Sequence, residues 1–150
     1  MSFRLEKSVW LPRPIDEVFA FFGDAGNLEL MTPPWLSFKI LTPRPIEMCP
    51  GALIDYRIAL HGIPMKWRTE ITAWNPPFEF VDEQLSGPYR RWHHRHTFAE
   101  ENGGTRVGDE VTYDVLGGWL VNKVFVERDV TKIFTYKEET LKRLFPSRPA

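Results

Sequence analysis

Residues Gly87 to Ala99, GPYRRWHHRHTFA, hold three of the four histidines in the chain. On a strand, successive side chains point to opposite sides, so Trp92, His94, His96 and Phe98 share one face while Arg91, His93, Arg95 and Thr97 share the other. The first face joins two aromatic side chains that gain from burial to two imidazoles that need polar partners. That combination predicts the wall of a ligand pocket with a polar floor. The second face is expected in solvent.

Acids converge on the same place. Parity turns Phe78, Phe80, Asp82 and Gln84 inward on the preceding strand, and Val107, Asp109, Val111 and Tyr113 inward on the following one. Counting across Asn102-Gly103-Gly104 sets His96 beside Asp109, within one pair, and counting across Gly87 sets Asp82 beside Trp92 and His94. Three chemistries are open to such a cluster. Its members satisfy one another and fix the register. They hydrogen-bond the head group of an apolar ligand. Or His96, with Asp109, acts as general acid/base on an enolisable substrate. Pairing favours both charged forms and burial opposes them, and the expectation is that Asp109 raises the His96 pKa. His94 and His96 also form an H-x-H pair about 6.6 Å apart along the strand, which with Asp82 or Asp109 would supply three metal ligands. With no second histidine cluster and no reactive cysteine nearby, neither a metal nor a cofactor is expected.

The elements that position these residues follow from periodicity. Phe3 to Leu11 alternates as a strand, and Pro14 opens a helix whose Ile15, Val18, Phe19 and Phe22 share one face. A second short helix runs from an Asp24 cap to Thr32-Pro33-Pro34. Six strands follow, near 36–42, 52–60, 65–74, 78–85, 89–100 and 106–115, joined by turn-like segments. Ile54, Tyr56, Ile58 and Leu60, then Met65, Trp67, Thr69 and Ile71, form their apolar inward sets. The last element is a helix from Trp119 to Phe145, about 40 Å long, with Leu120, Val124, Val130, Phe134, Leu141 and Phe145 on one stripe. The fold class is therefore α+β, a seven-stranded curved antiparallel sheet gripping a long C-terminal helix. A cavity lined by Trp67, Phe80, Trp92, Phe98, Val124 and Phe134 is the expected consequence. Its entrance is placed among the turns His61–Pro64, Gly87–Tyr89 and Gly117–Trp119.

Composition narrows the classes. At 150 residues, 43% apolar and 26% charged, the chain suits one globular domain spanning 1–150. Aromatic residues make up 14%, an excess that a ring-lined cavity would use. With 19 basic against 20 acidic residues there is no global field to draw in nucleic acid or an anionic membrane. Arg90, Arg91, Arg95, Lys66 and Arg68 are interleaved with Glu70, Glu79 and Glu83, which reads as a solvated mixed face. The single cysteine, Cys49, the lack of a long apolar run and the N-terminal MSFRLEKSVW give a cytoplasmic expectation, with no integral membrane segment and a monomeric or homodimeric state.

The runs NLELMTPPW, PIEMCPGALIDYRIALHGIP, FVDEQLSGPYRRWHHRHTF, GGTRVGDEVTY and IFTYKEETL, in this order of elements, resemble a bacterial ligand-binding branch of the START and birch-pollen-allergen superfamily. It is also called SRPBCC, or polyketide cyclase/dehydrase-like, and the likeness spans nearly the whole chain. The resemblance implies a helix-grip fold and a cavity for a lipid, isoprenoid or polyketide-like molecule. It implies a carrier or sensor, with a cyclase/dehydratase-like enzyme or a protein-recruiting module as alternatives, because one fold hosts all three. The expected ligand-binding set is Tyr56, Trp67, Phe80, Asp82, Gln84, Trp92, His94, His96, Phe98, Asp109, Val124 and Phe134.

Overall fold

The computed structural model describes residues 2–146, apart from the Trp119 side chain. Strand β1 (Phe3–Leu11) leads into α1 (Ile15–Gly23), a 3-10 turn (Ala25–Asn27) and α2 (Leu28–Met31). Then come β2 (Lys39–Ile40), β3 (Leu53–Leu60), β4 (Ile63–Asn75), β5 (Glu79–Ser86), β6 (Arg91–Glu101) and β7 (Gly104–Asp114). The C-terminal helix is built from α3 (Gly118–Val121), a π-helical turn (Asn122–Val126) and α4 (Glu127–Leu144). The strands form one seven-stranded antiparallel sheet in the order β1-β7-β6-β5-β4-β3-β2. This is the α+β helix grip that the sequence pattern predicts.

Local chemistry explains the boundaries. Pro14 precedes α1, and the four residues expected on its apolar face are buried. Asp24 caps the next turn by accepting from the Gly26 amide at 2.9 Å. The β6–β7 hairpin turns through Asn102 and Gly103, with φ of 48° and 76°, the left-handed pair that a two-residue turn needs. That turn sets the register opposing His96 to Asp109, and Asp82 opposes His94 across β5 and β6. Pairing between β4 and β5 shifts twice, near Arg68/Thr69 and Ile71/Ala73, and such bulges bend a sheet. One apolar cluster joins α1 to Phe98, Val107 and Leu141. A second gathers Val111, Tyr113, Val130 and Phe134, and a third Ile40, Ile54 and Ile71. Space is left between them.

Several expectations fail locally. The stretch expected as a strand over 36–42 pairs only at Lys39 and Ile40, because Pro34 opens a 3-10 turn and Ser37 turns left-handed at φ 48°. Phe78 is 62% exposed, since its amide closes a turn on the Asn75 carbonyl and it precedes β5 rather than belonging to it. Val124 is 51% exposed rather than facing the cavity, and Leu120 is exposed too. The π turn explains both: it widens the helix locally, and Asn122 takes the inward position by accepting from the Tyr113 hydroxyl at 2.8 Å. On the outer face His93 and Arg95 are half-buried, Arg95 clamping Glu79 and Glu110 from the neighbouring strands.

Stability should follow these positions. Leu141→Ala removes a side chain from the core and should cost about 2–5 kcal/mol in denaturant unfolding, while Val124→Ala should stay within about 0.5 kcal/mol. Equal losses would show that the π turn does not hold Val124 outward.

Candidate functional site

The clusters enclose a cavity of about 170 Å³ between the sheet and α4. Its wall is mainly apolar, with Tyr56 and Thr69 hydrogen-bonded to each other, and its ionisable side chains Asp82, His94, His96 and Lys137 meet in one cluster. His94 and His96 stack with centroids 3.7 Å apart, and Phe80 covers the other face of His96 at 4.0 Å.

Hydrogen bonding in this cluster runs diagonally rather than along the register. His94 Nε2 lies 2.7 Å from Asp109 Oδ1, and His96 Nε2 lies 2.6 Å from Asp82 Oδ2. A carboxylate only accepts, so each Nε2 carries the hydrogen. Lys137 Nζ donates to the same Asp109 oxygen at 2.7 Å, and it also lies 5.2 Å from the Phe22 ring and 5.6 Å from that of Phe134. Two carboxylates are thus held by one ammonium and two imidazoles.

The expected rise in the His96 pKa is overturned. Burial, and next the positive charge that a protonated His94 would carry, bring it down to about 4 against the opposing pull of Asp82. Burial also pushes Asp109 upward, but Lys137 and His94 outweigh it and keep the carboxyl well below its ordinary range. Asp82 is likewise lowered, burial being overcome by His94, His96 and Lys137. His96 is therefore neutral near pH 7, and its Nδ1 is buried with no hydrogen-bond partner among the described residues.

Tyr56, Trp67, Phe80, Asp82, Trp92, His94, His96 and Phe134 all line the cavity. Four expected residues do not. Phe98 packs against Phe19 and Phe22, with centroids 5.1 Å from each, in the adjoining core. Asp109 stands behind the histidines, joined to Lys137. Gln84 turns to the β5–β6 connection, donating to the Tyr89 carbonyl and accepting from its amide, because the turn at Gly87 leaves these groups without strand partners. Val124 points outward.

Sequence reasoning missed Lys137 and the inward place of Tyr89. The signal for Lys137 was its position: it continues the buried stripe between Phe134 and Leu141, where a charged side chain needs a buried partner. Tyr89 joins Trp67 and Trp92 at 5.5 and 4.8 Å. Of the expected entrance turns, His61–Pro64 borders a depression that shares Leu36, Leu60 and Ile133 with the cavity. There His61 Nε2 meets Asp129 Oδ2 of α4 at 2.7 Å. The Trp119 side chain lies outside the described residues.

A family profile described as "Polyketide cyclase / dehydrase and lipid transport" matches residues 11–132. No curated protein sequence matches the chain. Among solved structures, protein CV1439 from Chromobacterium violaceum is similar with TM-score 0.73 and 13% identity, covering 99% of each chain. Ginseng major latex-like protein 151 from Panax ginseng gives 0.71 and 12%, covering 97% of this chain and 98% of that one. The di-domain ARO/CYC BexL from the BE-7585A biosynthetic pathway gives 0.71 and 21%, covering 99% of this chain and 51% of that one. At these identities the likeness is one of fold.

Two outcomes are expected from the buried charges. Lys137→Met leaves Asp109 short of its ammonium partner and should cost about 3–5 kcal/mol, with Asp109→Asn added in the same chain recovering part of the loss. Additive losses in the double-mutant cycle would show that the pair does not interact. The His96 pKa, below its unfolded value of 6.5, means that unfolding takes up a proton at mildly acid pH. Its contribution to stability is full above pH 6.5 and is lost as pH falls towards about 4. An NMR titration should find the His96 ring neutral at about pH 5.5, where an unperturbed imidazole is mostly protonated. A fully protonated ring there would reverse this sign.

Proposed function

The chain belongs to the polyketide cyclase/dehydrase and lipid-transport family of the SRPBCC superfamily, and from that premise we propose that it binds a small hydrophobic ligand, as carrier or sensor. The observation that carries this reading is a mainly apolar cavity with one cluster of ionisable side chains. Burial of an apolar body gives affinity, and the few convergent polar groups orient one end. Rings of an isoprenoid or polyketide-like molecule suit the aromatic wall of Trp67, Tyr89 and Trp92, with a hydroxyl or carbonyl end at Asp82, His94 and His96.

Size sharpens the proposal. Cavities that enclose a drug-sized ligand run to roughly 300–1,000 Å³, whereas one of roughly 150 Å³ accepts a single benzene. At about 170 Å³ the cavity in this form takes one or two rings, and a larger lipid requires the wall to open. Separation of the His61 turn from α4 is the proposed opening. A second reading, acid/base catalysis of the cyclase or dehydrase kind, draws on one observation: Asp109 orients His94 through Nε2 and leaves its Nδ1 beside Asp82 on the cavity wall.

Native mass spectrometry of protein purified from its own host should show a bound apolar molecule. Ile58→Trp, which fills the cavity from its apolar wall, should weaken binding of a fluorescent apolar probe at least tenfold and leave the thermal midpoint near that of the parent. Undiminished probe binding by the folded variant would place the ligand elsewhere.

A further inference from the structure

We propose that the polar end of the cavity is a binding site for a divalent transition-metal ion, zinc or ferrous in type. Its ligands are the Asp82 carboxylate, His94 Nδ1 and His96 Nε2, with Asp109 as the outer carboxylate. This reverses the metal-free expectation drawn from the lack of a second histidine cluster and of a nearby cysteine, and it stands whatever apolar molecule the cavity takes.

Three observations carry it. Asp82, His94 and His96 each bring a donor atom within 4.8 Å of the other two. His94 Nδ1 and Asp82 Oδ2 lie 3.8 Å apart, too far for a hydrogen bond. With Nε2–H given to Asp109, a neutral His94 turns its Nδ1 lone pair towards that carboxylate oxygen, an arrangement that a cation between them relieves. An ion with ligand distances of about 2.0–2.2 Å spans a pair of donors at this separation.

The third observation is the buried, partnerless Nδ1 of His96, 3.7 Å from Asp109 Oδ1. When an ion takes Nε2, the single hydrogen of the neutral ring moves to Nδ1, where it faces Asp109. No net proton is released by His96, and the nitrogen that lacked a partner gains one. Asp109 then orients both rings, as carboxylates behind metal-ligating histidines commonly do, and Lys137 neutralises it so that it does not compete for the ion. His96 Nε2 and Asp82 Oδ2, now 2.6 Å apart, must separate by under about 1.5 Å to share the ion, and Asp82 lies on the cavity wall with room to move. Two imidazoles and one carboxylate leave coordination positions open towards the cavity, the donor set that suits zinc or ferrous iron.

Zinc added to chelator-treated protein should bind one ion per chain. In the wild type, ring-nitrogen NMR should show the His96 hydrogen passing from Nε2 to Nδ1, and His94 Nδ1 shifting, as zinc reaches one equivalent. Asp82→Asn should weaken binding at least tenfold and Asp109→Asn by about 10–100-fold. His93→Gln, on the outer face of the same strand, should leave it unchanged, and the surface pair of His61 and Asp129 is the rival site. Ring resonances of His94 and His96 that ignore stoichiometric zinc overturn the proposal, even if the variants fail to fold. So does binding that survives Asp82→Asn and disappears with His61→Gln.

Discussion

The Asp109 carboxylate is only 7% exposed, yet it accepts from His94 on the sheet and from Lys137 on the C-terminal helix, each at 2.7 Å. Moving a carboxylate out of water carries an idealised penalty of order 20 kcal/mol, so the group is tolerable only with charged or polar donors at hydrogen-bond distance. One donor comes from each layer of the fold. The helix therefore cannot slide or rotate past β7 without exposing an uncompensated charge, and apolar packing alone imposes no such registration. The lowered Asp109 and Asp82 pKa values follow from these positive partners, whereas His96 is neutral chiefly because it is buried.

Strand parity carried most of the cavity wall because it depends only on the period of two along the backbone. Tyr56, Trp67, Phe80, Trp92, His94 and His96 are inward for that reason, and the Asn102-Gly103 turn made the pairing of His96 with Asp109 countable. Register does not determine where a side chain reaches. The histidines bond the diagonal carboxylates, which depends on side-chain torsions that no spacing rule contains. Gln84 has inward parity but serves the turn beside it.

Helical periodicity failed at one place for a definable reason. The stripe over 119–145 assumes 3.6 residues per turn, and the π turn at Asn122–Val126 breaks that phase, so Val124 is displaced while Val130, Phe134 and Leu141 beyond it are buried. Lys137 escaped notice because a lysine on a helix ordinarily reads as solvated. Its ammonium stands over the Phe22 and Phe134 rings and reaches Asp109, so the charge is spent inside the fold rather than in water. The sign of the His96 shift was illegible for a related reason: pairing and burial act in opposite directions, and sequence shows the partner but not the depth.

An ionic cluster at one end of an apolar cavity has a consequence for whatever enters. With His96 neutral, Asp82 and Asp109 face the single ammonium of Lys137, and balance requires one more positive charge at the histidine pair or beside it. A proton, a metal ion or a cationic ligand group each satisfies that requirement, and each leaves a different surface for the apolar body to meet. A hydroxyl or carbonyl can bridge to any of the three, whereas a ligand carboxylate would meet Asp82 directly unless a cation stands between them. In the proposed binding role, electrostatic selection at the floor would act separately from the mainly apolar wall, which would sort by shape and size. The same division explains why family membership, which rests on the profile match over residues 11–132, leaves the head-group chemistry to these particular side chains.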